Sequence, residues 1–362
     1  MTTGSHPALV PGDAGGSRGA PPEPRSIRAT AQPDPLVYIV LVNWRAGAAT
    51  LDCLAALQAL RYERFRVILV ENGSGDGSLD LFRTWAQARA EARSDPGFFE
   101  LVDAGRCVSR QGSWLALVAS DRNLGFAGGN NLGIRRALCD PEAAFVWLLN
   151  NDTLPEPGAL SALVGAAMRD PAIGICGSTL VYHQPAGIVQ AYGFGRLHPF
   201  GMRTTHIGAF AAFDRAGLPD GPVLRDYPHY VVGASMLLSR SCLEAVGLLW
   251  EGYFLYFEEV DLAIRARGRF RQAWAPDSIV VHREGASTAH SGVASRRGGL
   301  ADFYMTRASL LFTLRHRPWY LPVMVPLVVA KCLLPALKGH GGRLKFLLDP
   351  AFWFSTGGRG AR

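Results

Sequence analysis

Residues 36–44 read LVYIVLVNW and residues 66–74 read RVILVENGS, and these two stretches decide the fold class. Each begins with a continuous run of β-branched and aliphatic residues, which is typical of parallel strands covered on both faces. An Ala- and Leu-rich stretch predicts a helix near residues 48–60, and SLDLFRTWAQARAEAR predicts another after the second strand. This alternation predicts an α/β domain with a mostly parallel sheet flanked by helices.

The same alternation continues along the chain. Strands are predicted at residues 114–119 and 145–149 with a helix at 130–138 between them, and we expect the sheet to be complete by about Asp152. A helix at 156–168 and a Gly-, Pro- and aromatic-rich stretch then predict a second half. We divide the chain into a disordered leader (1–35), a first half (36–153), a second half (154–299) and a basic, apolar, helical C-terminal tail (300–362).

Composition narrows the class of protein. The chain has 362 residues, 48% of them hydrophobic, and its mean hydropathy is +0.10. This length and hydrophobic content are sufficient to form the core of one large domain or of two closely packed subdomains. No run of 18 uncharged apolar residues and no secretory signal pattern appear, so we expect neither a secreted nor a multi-span membrane protein. The six cysteines are widely spaced without a CxxC motif, which predicts reduced core thiols in a cytoplasmic protein.

The positive charge lies in the tail. Net charge is +7, and residues 312–362 carry eight basic residues against one acidic residue. Residues 319–337 are apolar but contain three prolines and Lys331, which disfavours a transmembrane helix. We expect this segment to lie on an anionic membrane surface, at the inner face of the cell membrane. The alternative is a buried helical pair on the body. No nucleic-acid-binding motif accompanies the charge.

Polar residues follow four predicted strands, where the ligands of open α/β sheets bind. They are Asn43-Trp44-Arg45, Glu71-Asn72-Gly73-Ser74, Asn123 with the following LGFAGGNN, and Asn150-Asn151-Asp152-Thr153. Turn chemistry explains any one of them. Together they predict a ligand site at one sheet edge, although no GxGxxG motif follows the first strand, which argues against a dinucleotide site.

Carboxylates at one of these strand ends, and in a later part of the chain, suggest metal binding and acid–base chemistry. Asp152 leaves a buried strand, where Mg²⁺ or Mn²⁺ shared with substrate phosphates would balance its charge; alternatively it caps the following helix. Glu258, Glu259 and Asp261 open a helix after the aromatic run WEGYFLYF, as expected of a sugar site with a general base. A simpler interpretation is that these three acidic residues complement the helix dipole and that Asp261 pairs with Arg265. His282 ends a predicted strand and is a candidate metal ligand.

Seven elements in order resemble inverting family 2 glycosyltransferases of the GT-A fold, most similarly the bacterial rhamnosyltransferase branch. They are VLVNW, VENGSGDGS, RNLGFAGGNNLGI, LLNNDT, VVGASMLLSR, FLYFEEVDLAIRAR and VHREGAST, and they cover roughly residues 36–290. The resemblance implies a nucleotide-sugar-binding first half and an acceptor-binding, catalytic second half. It further implies transfer of L-rhamnose from dTDP-rhamnose to a cell-envelope glycan or lipid-linked acceptor.

The resemblance also implies residue roles. Glu259 occupies the base position, with Glu258 and Asp261 as alternatives, and Asp152 and His282 would bind Mg²⁺ or Mn²⁺. The candidate substrate-binding residues are Asn43, Trp44, Glu71, Asn72, Asn123, Gly129, Asn150, Trp250 and Tyr256.

Three positions depart from the family pattern. Glu71, Asn150 and Glu259 each stand where the family usually has Asp. Glu71 affects the contacts to the nucleotide base, and Asn150 affects the affinity for the metal. Glu259 affects which residue is the general base. Two alternatives therefore stay open: a galactofuranosyl or other hexosyl transferase, and a catalytically silent nucleotide-sugar-binding protein.

Overall fold

The computed structural model describes residues 34–103, 112–198, 200–283, 299–337 and 348. Within them, eleven strands form one sheet and three strands form a small second sheet. The predicted leader lies outside the described residues except for Asp34 and Pro35, and so does most of the tail beyond residue 337.

The first half is the predicted α/β unit. Its strands are β1 (Leu36–Asn43), β2 (Phe65–Asn72), β3 (Phe99–Val102), β4 (Leu115–Ser120) and β5 (Ala143–Asn150). Its helices are α1 (Gly47–Leu57), α2 (Ser78–Arg93) and α3 (Gly125–Leu138). The strands are all parallel, in the order β5-β1-β2-β4-β3. Asn43 pairs with Glu71, and Val42 pairs with Asn150, so three polar strand ends lie at one edge.

The second half extends the same sheet. Its strands are β6 (Thr153–Pro155), β7 (Ile173–Tyr182), β8 (Val189–Tyr192), β9 (Phe194–His198), β10 (Arg203–His206), β11 (Val223–Arg225), β12 (His229–Val231), β13 (Ser235–Ser239) and β14 (Arg271–His282). Its helices are α4 (Ala159–Ala167), α5 (Arg240–Val246) and α6 (Glu258–Ala266).

The prediction that the sheet is complete by about Asp152 is wrong. Strand β13 pairs antiparallel with both β5 and β7, and β7 pairs in parallel with β14. All five residues of β13 are buried, so their backbone groups need partners on both sides. Local sequence patterns do not reveal which strand supplies those partners.

Helices cover both faces of the sheet. Helices α1, α2 and α4 contribute to one core cluster, and α3, α5 and α6 contribute to the other. Helix α3 begins at Gly125, earlier than the predicted residue 130, and lies very close to β1. A Cβ atom on Gly129 would lie 2.7 Å from Val42 Cγ1, and one on Gly133 would lie 2.5 Å from Val40 Cγ1. These glycines therefore permit the helix–sheet contact.

Two further helices follow, α7 (Gly299–His316) and α8 (Leu321–Leu337). They pack on the body through a third core cluster that includes Phe257, Phe312 and Met324. Residues 321–337, for which the alternative was a buried helical pair, form the single helix α8. It buries Met324, Val328 and Cys332 and keeps an exposed apolar side. No helix among the described residues is long and apolar enough to span a membrane.

The cysteine prediction holds in part. The free, buried thiols are those of Cys53, Cys176, Cys242 and Cys332. Cys139 is disulfide-bonded, so the prediction of reduced thiols is wrong for this residue. Cys107 lies outside the described residues.

Candidate active site

Asn43, at the end of β1, is completely buried and connects three segments. Its Oδ1 accepts hydrogen bonds from Ala46 N and Thr50 Oγ1 at 3.3 and 3.0 Å, and its Nδ2 donates to Ser74 Oγ at 3.2 Å. Asn151 Nδ2 also donates to Asn43 Oδ1 at 3.3 Å. The side chain predicted to bind substrate therefore holds the strand ends together.

Glu71, at the end of β2, turns back on its own loop. Its carboxylate accepts hydrogen bonds from Gly73 N at 3.2 Å and Ser74 N at 2.9 Å. The side chain is 5% exposed. Glu71 therefore orders the loop after β2.

Asn72 connects β2 to the start of α3. Its Nδ2 donates to Asn123 Oδ1 at 3.1 Å and to Gly125 O at 3.2 Å, and its Oδ1 accepts from Leu124 N at 3.0 Å. Asn123 Oδ1 in turn accepts from Gly125 N at 2.8 Å. The predicted contact residues Asn72 and Asn123 thus join the end of β2 to the start of α3.

Trp44 directly follows β1 and is half-buried. The guanidinium of Arg45 lies 5.1 Å from its ring centroid, and Arg45 Nε donates to Ser74 O at 3.2 Å. Trp44 and the half-buried Asn123 and Asn150 are the predicted nucleotide-side residues that remain accessible.

Asp152 and His282 lie side by side where β5 and β14 end. His282 Nε2 is 3.1 Å from Asp152 Oδ1, and both residues are 6% exposed. His282 Nδ1 is 2.8 Å from Gln190 Oε1, on β8. Helix α4 begins at Ala159 behind Gly158, so the alternative that Asp152 caps this helix is excluded.

The lone pairs of these two side chains are suited to binding a cation. When Nδ1–H donates to Gln190 Oε1, the lone pair of His282 Nε2 faces the carboxylate of Asp152. Two acceptors at this distance repel each other unless a proton or a metal ion lies between them. The described residues contain no cluster of three or more acidic, histidine or cysteine side chains that could hold a metal, so an ion held by this pair would need additional ligands.

Asn150 and Asn151 point in opposite directions. Asn150 Nδ2 lies 3.4 Å from His282 Nε2, whereas Asn151 Nδ2 donates to Thr50 Oγ1 at 2.7 Å in the interior. Asn150 and Asp152 therefore share the side of the chain that faces His282.

The loop before α6 is strained. Phe254, Tyr256 and Phe257 have φ angles of 70°, 71° and 71°, in the left-handed region that side-chain-bearing residues rarely adopt. Phe126 N donates to Phe254 O at 2.7 Å, and the Phe254 ring stacks on Tyr304 at 4.8 Å. Strain maintained by surrounding contacts is characteristic of functional loops.

Glu259 follows this loop and is half-buried. A Cβ atom on Gly233 would lie 3.9 Å from Glu259 Cδ and 3.6 Å from Phe126 Cζ. The next residue, Ala234, accepts a hydrogen bond from Asn150 N at 2.9 Å. Glu259 thus lies near the same sheet edge as Asn150. Burial raises the pKa of Glu259 to about 7, which suits a group that accepts a proton near neutral pH.

The two alternative bases have different environments. Glu258 is 1% exposed, and its Oε1 has no hydrogen-bond partner among the described residues. Burial, together with the charges of Glu259 and Asp261, raises its pKa well above the ordinary value. Burial also acts on Asp261, but the hydrogen bond from His316 and the charge of Arg265 outweigh it and lower the pKa. A carboxylate held ionised in this way is a poor proton acceptor.

The aromatic candidates lie in the segment that precedes α6. Trp250 is half-buried between the Tyr253 ring, at 4.6 Å, and the Arg315 guanidinium, also at 4.6 Å. Tyr256 is half-buried within the strained loop. Trp250 therefore stabilises the loop, whereas Tyr256 retains a partly accessible side chain.

Several residues of the site had no local sequence signal. Gln190 lies in a short strand within the Gly- and Pro-rich stretch, and Gly233 precedes β13. Arg315 and His316 end α7, and no local pattern predicts a role for them in the site.

Residues 38–188 match the model of the family described as Glycosyl transferase family 2. These residues form a family 2 glycosyltransferase domain. It is 25% identical over 292 residues to the N-acetylglucosaminyl-diphospho-decaprenol L-rhamnosyltransferase of Mycobacterium tuberculosis, covering 78% of this glycosyltransferase and 85% of that protein.

Two further similarities each cover less than half of the matched protein. The glycosyltransferase is 28% identical over 156 residues to the low-salt glycan biosynthesis hexosyltransferase Agl10 of Haloferax volcanii, covering 41% and 45% of the two chains. Its fold resembles the solved structure of GalNAc-T7 with UDP, GalNAc and Mn²⁺, with a TM-score of 0.53 and 12% identity. That match covers 76% of this glycosyltransferase and 47% of GalNAc-T7. The fold is of the GT-A type, as predicted.

Proposed function

We propose that this glycosyltransferase is metal-dependent and inverting. It transfers L-rhamnose from dTDP-rhamnose to a hydroxyl of a cell-envelope glycan or lipid-linked acceptor. The observation that carries the proposal is Glu259, a half-buried carboxylate whose pKa burial raises to about 7, near the edge where Asn150 ends β5. The choice of rhamnose rests on the similarity to the M. tuberculosis rhamnosyltransferase.

The proposed reaction is a single displacement. Glu259 accepts the proton of the acceptor hydroxyl as its oxygen forms a bond to the anomeric carbon. The bond between that carbon and the diphosphate oxygen breaks, and its electron pair leaves with the nucleoside diphosphate. Attack on the face opposite the leaving group inverts the anomeric centre, so no second protein nucleophile is required.

Asp152 and His282 are proposed to hold Mg²⁺ or Mn²⁺, with His282 oriented by Gln190. Such an ion, when bound, neutralises negative charge on the departing diphosphate. Asn150 lies beside the pair and supplies an amide where the family usually has a carboxylate, so the protein contributes one fewer negative charge.

The nucleotide is proposed to bind over the ends of β1 and β2. The buried side chains of Asn43, Glu71 and Asn72 would form the floor: Asn43 and Glu71 both hydrogen-bond to Ser74, and Asn72 donates to Asn123. Trp44 and Asn123 remain partly accessible. The proposed role of the buried residues is therefore to shape the nucleotide site, with direct contact left to the accessible ones.

A membrane surface is the proposed partner of α8. This helix is apolar on nearly all sides, yet it buries only a stripe that includes Met324, Val328 and Cys332. We define its apolar face by the exposed residues Trp319, Val323, Val325, Leu327, Leu333 and Leu334. An exposed apolar patch of this kind marks an interaction surface.

Charge favours an anionic lipid surface as the occupant. Arg317 precedes the apolar face, and Lys338, Arg343 and Lys345 follow it in the sequence. Each basic residue near an anionic membrane contributes about 1 kcal/mol. We propose that a cytoplasmic enzyme docks through this face on the inner leaflet, where a lipid-linked acceptor would be available.

The experiment that tests the function is a screen of nucleotide sugars for turnover with Mn²⁺ or Mg²⁺, including dTDP-rhamnose and UDP-galactofuranose. We expect metal-dependent turnover of dTDP-rhamnose. Preference for UDP-galactofuranose would contradict the choice of donor. Binding of a nucleotide sugar without transfer or hydrolysis of any donor would favour a catalytically silent binding protein.

A further inference from the structure

Asp261 is the centre of a hydrogen-bonded cluster that the proposed reaction does not use. It is 0% exposed and lies on α6, two residues after Glu259. Its donors are Arg265 Nε at 2.6 Å, His316 Nε2 at 2.6 Å, Arg315 Nε at 3.0 Å and Tyr253 OH at 3.4 Å. We call these five residues the Asp261 cluster.

The Asp261 cluster connects three parts of the chain. Arg265 belongs to α6 and also donates to the carbonyl oxygens of Val246, the last residue of α5, and Leu248, both at 2.8 Å. Tyr253 belongs to the strained loop, and Arg315 lies over the Trp250 ring at the start of that loop. Arg315 and His316 are the last residues of α7.

Helix α7 holds the strained loop at a second point. Arg307, which is 1% exposed, donates from Nη1 to the carbonyl oxygens of Gly252 and Tyr253, both at 3.3 Å. The loop that leads into Glu259 is therefore fixed by side chains from the middle and from the end of α7.

This arrangement determines how α6 is rotated. Successive residues of an α-helix are about 100° apart around the axis, so Asp261 and Glu259 point in nearly opposite directions. Asp261 faces α7, whereas Glu259 faces Gly233 and Phe126. Helix α6 has only nine residues, too few for its own hydrogen bonds to stabilise it alone. Its orientation therefore depends on contacts such as the Asp261 cluster.

The cluster supplies more hydrogen-bond donors than neutralisation of the Asp261 carboxylate requires. One arginine would neutralise Asp261, yet Arg265, Arg315 and His316 all contact its carboxylate. Buried ion pairs are weak contributors to stability, and their better-attested use is to specify one arrangement among several.

We propose that Arg315 and His316 are positioning residues for the transfer reaction. Through Asp261, they fix the rotation of α6 that presents Glu259 to the acceptor hydroxyl. This inference rests on the proposed role of Glu259 as the base.

The first test measures kcat and donor dissociation constants for His316→Ala. Misplacement of a reacting group by about 1 Å costs up to about 100-fold in rate, so we expect kcat to fall by roughly 10- to 100-fold. The donor dissociation constant should change by less than about threefold, because the donor site lies on other elements. His316→Gln, which keeps a hydrogen-bond donor, should restore part of kcat.

The matched control is Arg269→Ala. Arg269 follows α6, is exposed and donates to Ala245 O at 2.6 Å, but it does not belong to the Asp261 cluster. We expect its kcat to remain within about twofold of the native value. Equal losses of kcat in Arg269→Ala and His316→Ala would overturn the proposal.

A double-mutant cycle separates positioning from general structural support. If His316 acts through Glu259, His316→Ala should lower kcat no further in a Glu259→Gln background. Additive losses would overturn the positioning role while leaving Glu259 as the base. A Glu259→Gln variant with native turnover would overturn the proposed base itself and this inference with it. If His316→Ala does not fold, the same cycle is run with Arg315→Gln.

Discussion

His282 Nε2 lies 3.1 Å from Asp152 Oδ1, although the two residues are 130 positions apart in the sequence. Strand pairing produces this contact, because β14 pairs with β6 and places His282 opposite Thr153, the neighbour of Asp152. Gln190 on β8 fixes the other ring nitrogen at 2.8 Å. The geometry is that of a carboxylate in direct contact with an imidazole, and it is this pair that we propose as the metal site.

The first prediction concerns this pair. Asp152→Asn should weaken binding of the nucleoside diphosphate in the presence of Mg²⁺ or Mn²⁺ much more than in EDTA, because the amide removes a negatively charged ligand. Isothermal titration calorimetry under both conditions measures the difference. Asp277→Asn, at an exposed carboxylate of β14, is the control. An equal loss of affinity with and without metal would contradict the assignment.

The second prediction concerns pH. Glu259 must be ionised to accept a proton, and burial raises its pKa to about 7. We therefore expect kcat to fall as the pH decreases through about 7, and to approach a plateau above it. Steady-state rates between pH 5 and 9, with saturating donor, measure this dependence. A kcat that stays constant down to pH 5 would argue against Glu259.

The third prediction separates packing from substrate contact at Gly129. A Cβ there would lie 2.7 Å from Val42 Cγ1 and 3.2 Å from Asn72 Nδ2, so Gly129→Ala should lower the free energy of unfolding by about 1–3 kcal/mol. Gly165→Ala in α4 is the control, because a Cβ there meets nothing within 4 Å. It should stabilise the protein by about 0.5–1 kcal/mol. Urea denaturation measures both, and unchanged stability of Gly129→Ala would contradict the packing role.

The fourth prediction concerns the apolar face of α8. Leu334→Glu should reduce sedimentation with anionic liposomes, because it places a negative charge on the surface that meets the lipid. Leu101→Glu on β3 is the matched control, since Leu101 is 56% exposed and Leu334 is 58% exposed. The native protein should also be partly released at high salt. Equal liposome binding by both variants would contradict docking through α8.

Much of the first half could be predicted from the sequence, because its strands are continuous apolar runs and their polar ends share one edge of a parallel sheet. Asn43, Glu71 and Asp152 follow this rule. The pairing of β13 between β5 and β7 could not be predicted, since it joins segments that are distant in the sequence.

The residues that hold the site residues in place could be predicted less well from the sequence, for the same reason. Gln190 and His282 are 92 positions apart, and Asp261 and His316 are 55 positions apart. The sequence suggested three candidate bases on one helix, and only their surroundings distinguish them. Asp261 is held ionised by cationic partners, whereas Glu259 has a raised pKa beside Gly233.

The most direct measurement of the central claim is transfer from dTDP-rhamnose by Glu259→Gln, compared with donor binding by the same variant. A positioned general base contributes about 10²- to 10⁴-fold, so turnover should fall by roughly that factor while the donor dissociation constant stays within about threefold of the native value. Turnover within about tenfold of the native enzyme would contradict the account.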